Sequence, residues 1–350
     1  MGLLGILASL LLLIWLAYRG WSILLLAPAA ALIAAAAAGE PLLAHWTQTF
    51  MGSAARFLAQ FFPLFLLGAL FGKLMEDSGS VASISDYFTK RLGERRAILA
   101  VVLAGALVTY GGVSLFVAFF VLAPMAQAMF RAAGIPRRLM PAAIALGTST
   151  FTMSAMPGTP SIQNAIPMPF FGTTPLAAPG LGVIGSIVML GFGLWWLNRA
   201  ETAARRNGEG FGGGGEVRPN KAAEDVLTRE RVIAAPDALP PIAAAALPLI
   251  VVVSVNFLMS ALVLPRFDVS FLAEPRWGGT TLSAVGGVWA VIVALTAAIL
   301  TLLTVSGCRV PRLRASMEAG ANASVLPAVG VASLVGFGVD RRAILTRFWG

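Results

Sequence analysis

The chain has 350 residues, of which 58% are hydrophobic and only 12% are charged, and its mean hydropathy is +0.83. Because an ordinary soluble domain carries about 25% charged residues, this composition excludes a soluble globular protein and predicts an all-α, multi-pass membrane protein. The net charge of +9 falls in short segments between apolar runs, which is typical of cytoplasmic loops and argues against a nucleic-acid partner.

The first part of the chain contains three apolar segments. Residues 2–18 and 21–39 predict two transmembrane helices joined by a tight turn. A mildly polar connection, residues 40–55, precedes a third span at residues 56–75. A polar and basic segment, residues 78–96, follows it.

Residues 97–130 are apolar over 34 positions, too many for one upright span of about 20 residues. Two adjacent glycines, Gly111 and Gly112, lie in the middle and disfavour an uninterrupted helix. We expect two shorter helices that meet there and return to the side they came from. That path puts the basic segments before and after them on one side, as the positive-inside bias requires. One long, tilted and kinked helix is the alternative.

Residues 139–198 begin as a transmembrane helix, but hydroxyls, amides, glycines and prolines crowd together between Gly147 and Pro167. Irregular backbone at membrane depth is tolerated only where it is buried in protein or lines a wet cavity. Secondary transporters use such broken helices to expose backbone groups to a solute near the bilayer midplane. The pattern therefore favours solute transport.

The remaining segments suggest an incomplete second half. Residues 199–237 are polar and read as a flexible cytoplasmic linker, and residues 240–264 and 281–305 predict two further spans. Residues 318–338 are small and apolar with polar and proline interruptions, which resembles the opening of a second broken element in an inverted-repeat transporter. The charged end, residues 339–350, predicts a truncated chain; a short natural tail is the alternative.

The polar residues of the broken segment suit an organic anion. Ser and Thr hydroxyls and the amides of Gln163 and Asn164 are hydrogen-bond donors, and helices starting after Gly158 and Gly112 would direct partial positive charge at a carboxylate. For any single hydroxyl, a bond back to the helix backbone is the favoured alternative. The proton-coupling candidates are Glu76, Asp77 and Glu318, although Lys73 could form a simple helix-end ion pair with Asp77.

The sequence lacks the motifs that several other functions require. The sequence has no phosphate-binding loop, no His-Glu-x-x-His and a single histidine, so neither ATP-driven transport nor a hydrolase or metalloprotease is supported. A membrane-embedded enzyme would need clustered acidic or histidine residues at one face. No metal and no cofactor is expected, and the protein is not expected to be an enzyme.

Four stretches together resemble the gluconate permease (GntP) family, which belongs to the ion transporter superfamily of secondary carriers. They are residues 71–79, Gly111 with Gly112, the Thr/Ser-Pro-Gly-Thr-Pro stretch through Asn164, and residues 320–324. The resemblance covers about residues 56–338. It implies proton-coupled uptake of gluconate or a related hydroxy acid across the bacterial inner membrane, through two homologous halves that each supply a broken or re-entrant helix.

This resemblance organises the chain into N-terminal transmembrane helices (1–55), a first transport repeat (56–198), a cytoplasmic linker (199–237) and the start of a second, incomplete repeat (238–350). A small organic carboxylate, protons and the lipid bilayer are the expected partners, and a homo-oligomer is allowed. A passive anion channel or an inactive fragment of a longer permease is the alternative. The predicted substrate-binding residues are Gly111, Gly112, Ser114, Thr150, Thr152, Gly158, Thr159, Gln163, Asn164, Asn322 and Ser324.

Overall fold

A computed structural model describes residues 2–93, 96–113, 115–212, 239–277, 279–306, 310 and 312–349. Within these ranges all regular structure is helical and no strand is present, which confirms the all-α membrane fold. Five helices are long and apolar enough to cross a bilayer. They are Leu42–Asp77, Pro179–Arg206, Ile242–Arg266, Leu282–Ser306 and Leu313–Gly338.

The α-helices of the described chain are numbered in order. They are α1 Gly2–Tyr18, α2 Ile23–Ala38, α3 Leu42–Ala44, α4 Met51–Asp77, α5 Ser80–Leu92, α6 Ala97–Tyr110, α7 Leu115–Ala132, α8 Met140–Ser149, α9 Phe151–Ser154, α10 Ile162–Ala165, α11 Met168–Phe171, α12 Pro179–Arg206, α13 Ile242–Leu258, α14 Leu282–Ser306 and α15 Leu313–Trp349. One π-helix, His45–Phe50, joins α3 to α4, and another, Met259–Val263, follows α13.

The chain forms two compact units. The first comprises residues 1–66 and 322–350, and the second comprises residues 67–321. In the first unit α1 and α2 pack against each other, and a buried apolar cluster that includes Leu13, Leu26, Phe50 and Phe337 forms part of its core. The second unit contains α5 to α14 and both interruptions that the sequence predicts between residues 97 and 178.

The two helices on either side of Gly111 and Gly112 are separate, as the sequence predicts. α6 ends at Tyr110, α7 begins at Leu115, and the two helices pack against each other. The Thr89 hydroxyl donates to the Met129 sulfur at 3.5 Å, so the end of α5 lies beside the end of α7. The chain therefore enters and leaves this hairpin on one side, and a single kinked crossing is wrong. Since α6 has 14 residues, its tip lies about 21 Å from that side.

This side of the second unit is rich in arginine and lysine, and we call it the basic end. Arg205 at the end of α12 donates to the Ala133 carbonyl at 2.9 Å, and Arg138 pairs with Glu209 at 2.9 Å. The ends of α7 and α12 and the start of α8 therefore meet there. The positive-inside bias predicts that such an end faces the cytoplasm.

Close helix contacts in the second unit depend on glycine. A Cβ on Gly147 of α8 would run into the Val102 carbonyl of α6, and one on Gly105 would meet the Thr148 methyl group at 2.9 Å. Small residues at a helix interface let two backbones approach closely in a membrane. This close approach holds α8 against α6, so that the end of α8 comes near the tip of the hairpin.

Two predictions from the sequence are wrong. Residues 40–55 are not a polar connection but largely helical, running through the first π-helix into α4. Residues 318–338 do not open a second broken element, because α15 is continuous from Leu313 to Trp349. Its Pro327 is isolated, and one proline removes a single N–H donor and is tolerated in membrane helices. The inverted-repeat organisation stays a prediction from sequence. The linker prediction falls mostly outside the described residues, and its first part, to Arg206, is helix.

The hairpin predicts a specific membrane topology. In a Cys308→Ser background, cysteines introduced at Lys90 and Arg131 should both react with an impermeant maleimide from the same side. A cysteine at Arg276 should react from the other side, because α13 passes the hairpin tip at Leu249, which lies against Gly111, before it reaches this loop. Labelling of the Lys90 and Arg131 positions from opposite sides would contradict the hairpin.

Candidate functional site

The helix that starts at the basic end breaks inside the second unit. α8 ends at Ser149, and Thr150 leaves the helical conformation with φ −109° and ψ −108°. One turn of helix, α9, precedes non-helical residues 155–161, and the next long helix begins only at Pro179. The ten residues of α8 span about 15 Å, or half of a hydrocarbon core of about 30 Å. The break thus lies at membrane depth.

Polar side chains from two other helices bind the exposed backbone of this break. The Tyr110 hydroxyl at the end of α6 donates to the Pro157 carbonyl at 2.8 Å. The Asn256 amide on α13 donates to the Gly158 carbonyl at 2.8 Å. The Gly158 N–H donates to the Pro175 carbonyl at 2.7 Å. Three backbone groups that helix geometry leaves open are thereby satisfied within the protein.

The tip of the hairpin lies directly against the broken loop. Gly112 has φ +94°, which L side chains rarely adopt, and a Cβ there would lie 3.0 Å from the Pro160 ring and 3.3 Å from Leu295 of α14. Gly158 has φ +78°, and a Cβ there would lie 3.4 Å from Leu176 and 3.7 Å from the Tyr110 hydroxyl. The structure therefore brings Tyr110 and Gly112 next to residues 157–160, while Gly111 lies against Leu249 of α13.

Most hydroxyls of the broken segment donate to backbone carbonyls. Thr150 donates to Leu146 at 2.7 Å and Thr152 to Gly147 at 3.0 Å. Ser161 donates to Met153 at 2.9 Å. These three hydroxyls thus bond back to the backbone, which is the alternative that the sequence left open for single hydroxyls. They can do so because a helix that ends leaves carbonyls without a helical partner. These bonds stabilise the break, and a substrate-binding role for Thr150 and Thr152 stays a prediction.

The second half of the loop is arranged differently. Thr159 is buried, its hydroxyl oxygen accepts from the Ser161 N–H at 3.4 Å, and its carbonyl accepts from the Asn164 amide at 3.2 Å. Gln163 is exposed. A hydroxyl that accepts one bond still carries a proton to donate. Among the described residues, the Thr159 proton has no acceptor, whereas the hydroxyl protons of Thr150, Thr152 and Ser161 are already donated to carbonyls.

Comparison with known proteins shows the family to which the chain belongs. Residues 1–197 match the sequence model of the GntP family permease. Over 346 residues the chain is 40% identical to the uncharacterized transporter YxjC of Bacillus subtilis (strain 168), covering 97% of this chain and 72% of that protein. The chain belongs to the GntP permease family. A shorter match, 37% identical over 71 residues, links 20% of the chain to 15% of the inner membrane permease YgbN of Escherichia coli (strain K12). No solved structure matches the chain.

The carboxylates proposed for proton coupling in this GntP permease all have basic partners on their own helix. Lys73 lies 3.3 Å from Glu76 and 3.0 Å from the largely buried Asp77. Glu318 pairs with Arg314 at 2.9 Å on an exposed surface of α15. An ion pair of this spacing forms whether or not protons are transported, so the role of these carboxylates stays a prediction.

Three more residues belong to the predicted substrate-binding set: Asn322, Ser324 and Ser114. Asn322 is exposed and Ser324 is buried on the continuous helix α15, and both belong to the first unit. Ser114 lies outside the described residues. The expected helix N-terminus after Gly158 is also weak, because α10 has only four residues and a helix dipole grows from many aligned peptides.

Two site residues of the GntP permease are missing from the sequence-based set. Tyr110 directly precedes the glycine pair, and Asn256 is the only amide side chain in α13, whose one other polar residue is Ser254. A polar side chain within a membrane span usually faces the protein interior and bonds across helices, which is the signal that could have identified Asn256.

Cavities occur at the basic end of the permease. One of about 270 Å³ is lined by residues that include Arg96, Asn198 and Glu201, where α6 begins and α12 ends. It is distant along both helices from the break, so we assign it no part in the candidate site.

The Tyr110 bond can be tested by removing one oxygen atom. Tyr110→Phe should speed hydrogen exchange at the Met156, Gly158 and Thr159 amides, because the Pro157 carbonyl loses its donor at a net cost of about 1 kcal/mol. Tyr87→Phe is the matched control, since Tyr87 is 44% exposed on α5. Equal exchange in the two variants, measured by mass spectrometry, would show that the bond does not hold the loop.

Proposed function

We propose that this GntP permease is a secondary active transporter that takes up gluconate or a related small organic hydroxy acid together with protons, across the inner membrane of a bacterium. One observation carries the proposal: the hairpin tip contacts the broken loop 157–160 at membrane depth, through Tyr110 and Gly112. Two interrupted elements that meet near the midplane are the usual setting of a transporter's solute site.

The loop offers suitable chemistry for an organic anion. Thr159 retains a hydroxyl proton, and the Gln163 and Asn164 amides are donors on the same short stretch of chain. Charge-assisted hydrogen bonds to a carboxylate are stronger than bonds between neutral groups. The carboxylate of the substrate would bind to this second half of the loop. The glycine pair, which has no side chains, would let the substrate come close to the backbone.

Protons are the proposed energy source because the resemblance to gluconate permeases implies proton-coupled uptake. The candidates that would carry them are Glu76, Asp77 and Glu318, unless the acid itself enters protonated. A second set of site residues, Asn322 and Ser324, and a homo-oligomeric assembly also belong to this proposal.

Uptake assays test the function directly. Cells or proteoliposomes that contain the protein should accumulate labelled gluconate, 3-hydroxybutyrate or citrate above the external concentration, and a protonophore should abolish the accumulation. Uptake that only equilibrates the acid and ignores the protonophore would favour the passive channel. Failure of all three acids would contradict an organic-acid carrier.

The glycine pair provides a sharper test. Gly112→Ala should lower uptake at least tenfold, because a side chain at φ +94° is strained and would press on Pro160. Gly134→Ala is the matched control: Gly134 also has positive φ, +66°, but lies at the basic end with no atom within 4 Å of a built Cβ.

Both glycine variants should reach the membrane in equal amounts, since they carry the same type of backbone strain. If Gly112→Ala transports as well as Gly134→Ala, the hairpin tip does not take part in transport.

A further inference from the structure

Asn256 has one half of its amide satisfied and the other half unpaired. The residue is fully buried, and its Nδ2 donates to the Gly158 carbonyl of the broken loop. Its Oδ1 accepts no hydrogen bond from any residue that the structure describes. A buried polar atom without a partner is uncommon in folded proteins and calls for an explanation, such as a bound molecule.

A second unpaired oxygen lies four residues further along the same helix. The Ser260 hydroxyl is buried and has no partner within the described ranges. Hydroxyls on membrane helices usually donate to the carbonyl four residues earlier, as Thr296 and Thr301 do on the neighbouring α14. Ser260 does not do so, and it lies in the π-helix Met259–Val263. Single π-turns in α-helices frequently mark functional sites.

The chemistry of these two atoms restricts what they bind. Amide Oδ1 is only an acceptor, so it repels a carboxylate and needs a hydrogen-bond donor. Hard cations such as Ca²⁺ and Mg²⁺ are held by about six or more oxygens, whereas this pair supplies two. A hydroxyl group fits both atoms, because it can donate to Asn256 Oδ1 and accept from the Ser260 hydroxyl.

We propose that Asn256 Oδ1 and Ser260 Oγ form a subsite for a hydroxyl group of the transported acid, beside the broken loop that binds its carboxylate. This inference rests on the proposed function and adds selectivity to it. A site built to hydrogen-bond a substrate hydroxyl rejects the analogue that lacks it, because its buried polar groups are then left unpaired.

Uptake of matched acids tests the subsite. The pairs are citrate and tricarballylate, 3-hydroxybutyrate and butyrate, and gluconate and 2-deoxygluconate, which differ by one hydroxyl. The unaltered protein should prefer the hydroxy acid of its substrate pair by about tenfold or more. Ser260→Ala and Asn256→Ala should each reduce that preference at least fivefold, mainly by weakening uptake of the hydroxy acid.

Ser254→Ala is the matched control, because Ser254 is exposed on the same helix, and it should leave the preference unchanged. Asn256→Ala also removes the bond to Gly158 and can impair folding. Ser260→Ala leaves that bond in place, so it decides the question on its own.

The results separate two failures. If the unaltered protein transports none of the acids, the proposed function and the subsite both fall. If it transports them with no preference for the hydroxyl, or if Ser260→Ala keeps the full preference, only the subsite is overturned. A requirement for Na⁺ that disappears in Ser260→Ala, with the preference unchanged, would assign the pair to a cation and also overturn the proposal.

Discussion

A backbone group that leaves helix geometry inside a membrane needs a partner from the protein or from a wet cavity, since lipid supplies none and an unpaired group costs several kcal/mol. Here the carbonyls of Pro157 and Gly158 are bound by Tyr110 and Asn256, which come from separate helices. The side chains that α6 and α13 supply therefore stabilise the loop. This requirement ties the break to the hairpin and explains why the candidate site combines elements far apart in sequence.

Glycine makes this arrangement possible at two levels. Gly105 and Gly147 allow α6 and α8 to approach closely, and Gly112 and Gly158 adopt backbone conformations that other residues rarely occupy. The first pair sets how deep the end of α8 lies relative to the hairpin tip. The second pair forms the tip and the loop themselves. The short hydroxyl bonds of Thr150 and Thr152 then close the end of α8.

Local sequence chemistry predicted both interruptions well. The adjacent glycines at 111 and 112 and the Pro-Gly-Thr-Pro run of residues 157–160 disrupt a helix, and the basic residues indicated which helix ends lie on the same side. Residues 318–338 misled the prediction because isolated small and polar residues, with a lone Pro327, resemble a break but leave the i→i−4 hydrogen bonds largely intact.

Side-chain partners were harder to predict than breaks. Whether Thr152 donates to a solute or to Gly147, and whether Asn256 reaches Gly158, depends on packing between helices that no local pattern contains. The sequence therefore predicted the two interruptions and their glycines, and the structure added the hydrogen bonds of Tyr110 and Asn256 to the loop and the buried hydroxyl of Ser260. Membership of the GntP permease family agrees with the fold and leaves the substrate to experiment.

The central claim is that the broken backbone near Gly158 and the glycine pair at Gly112 together surround a carboxylate solute. An experimental structure of the protein in lipid nanodiscs, determined with and without its transported acid, tests this most directly. The account predicts ligand density between the hairpin tip, residues 158–164 and Asn256. A continuous helix through residues 149–165 that faces lipid, or ligand bound away from this loop, would contradict it.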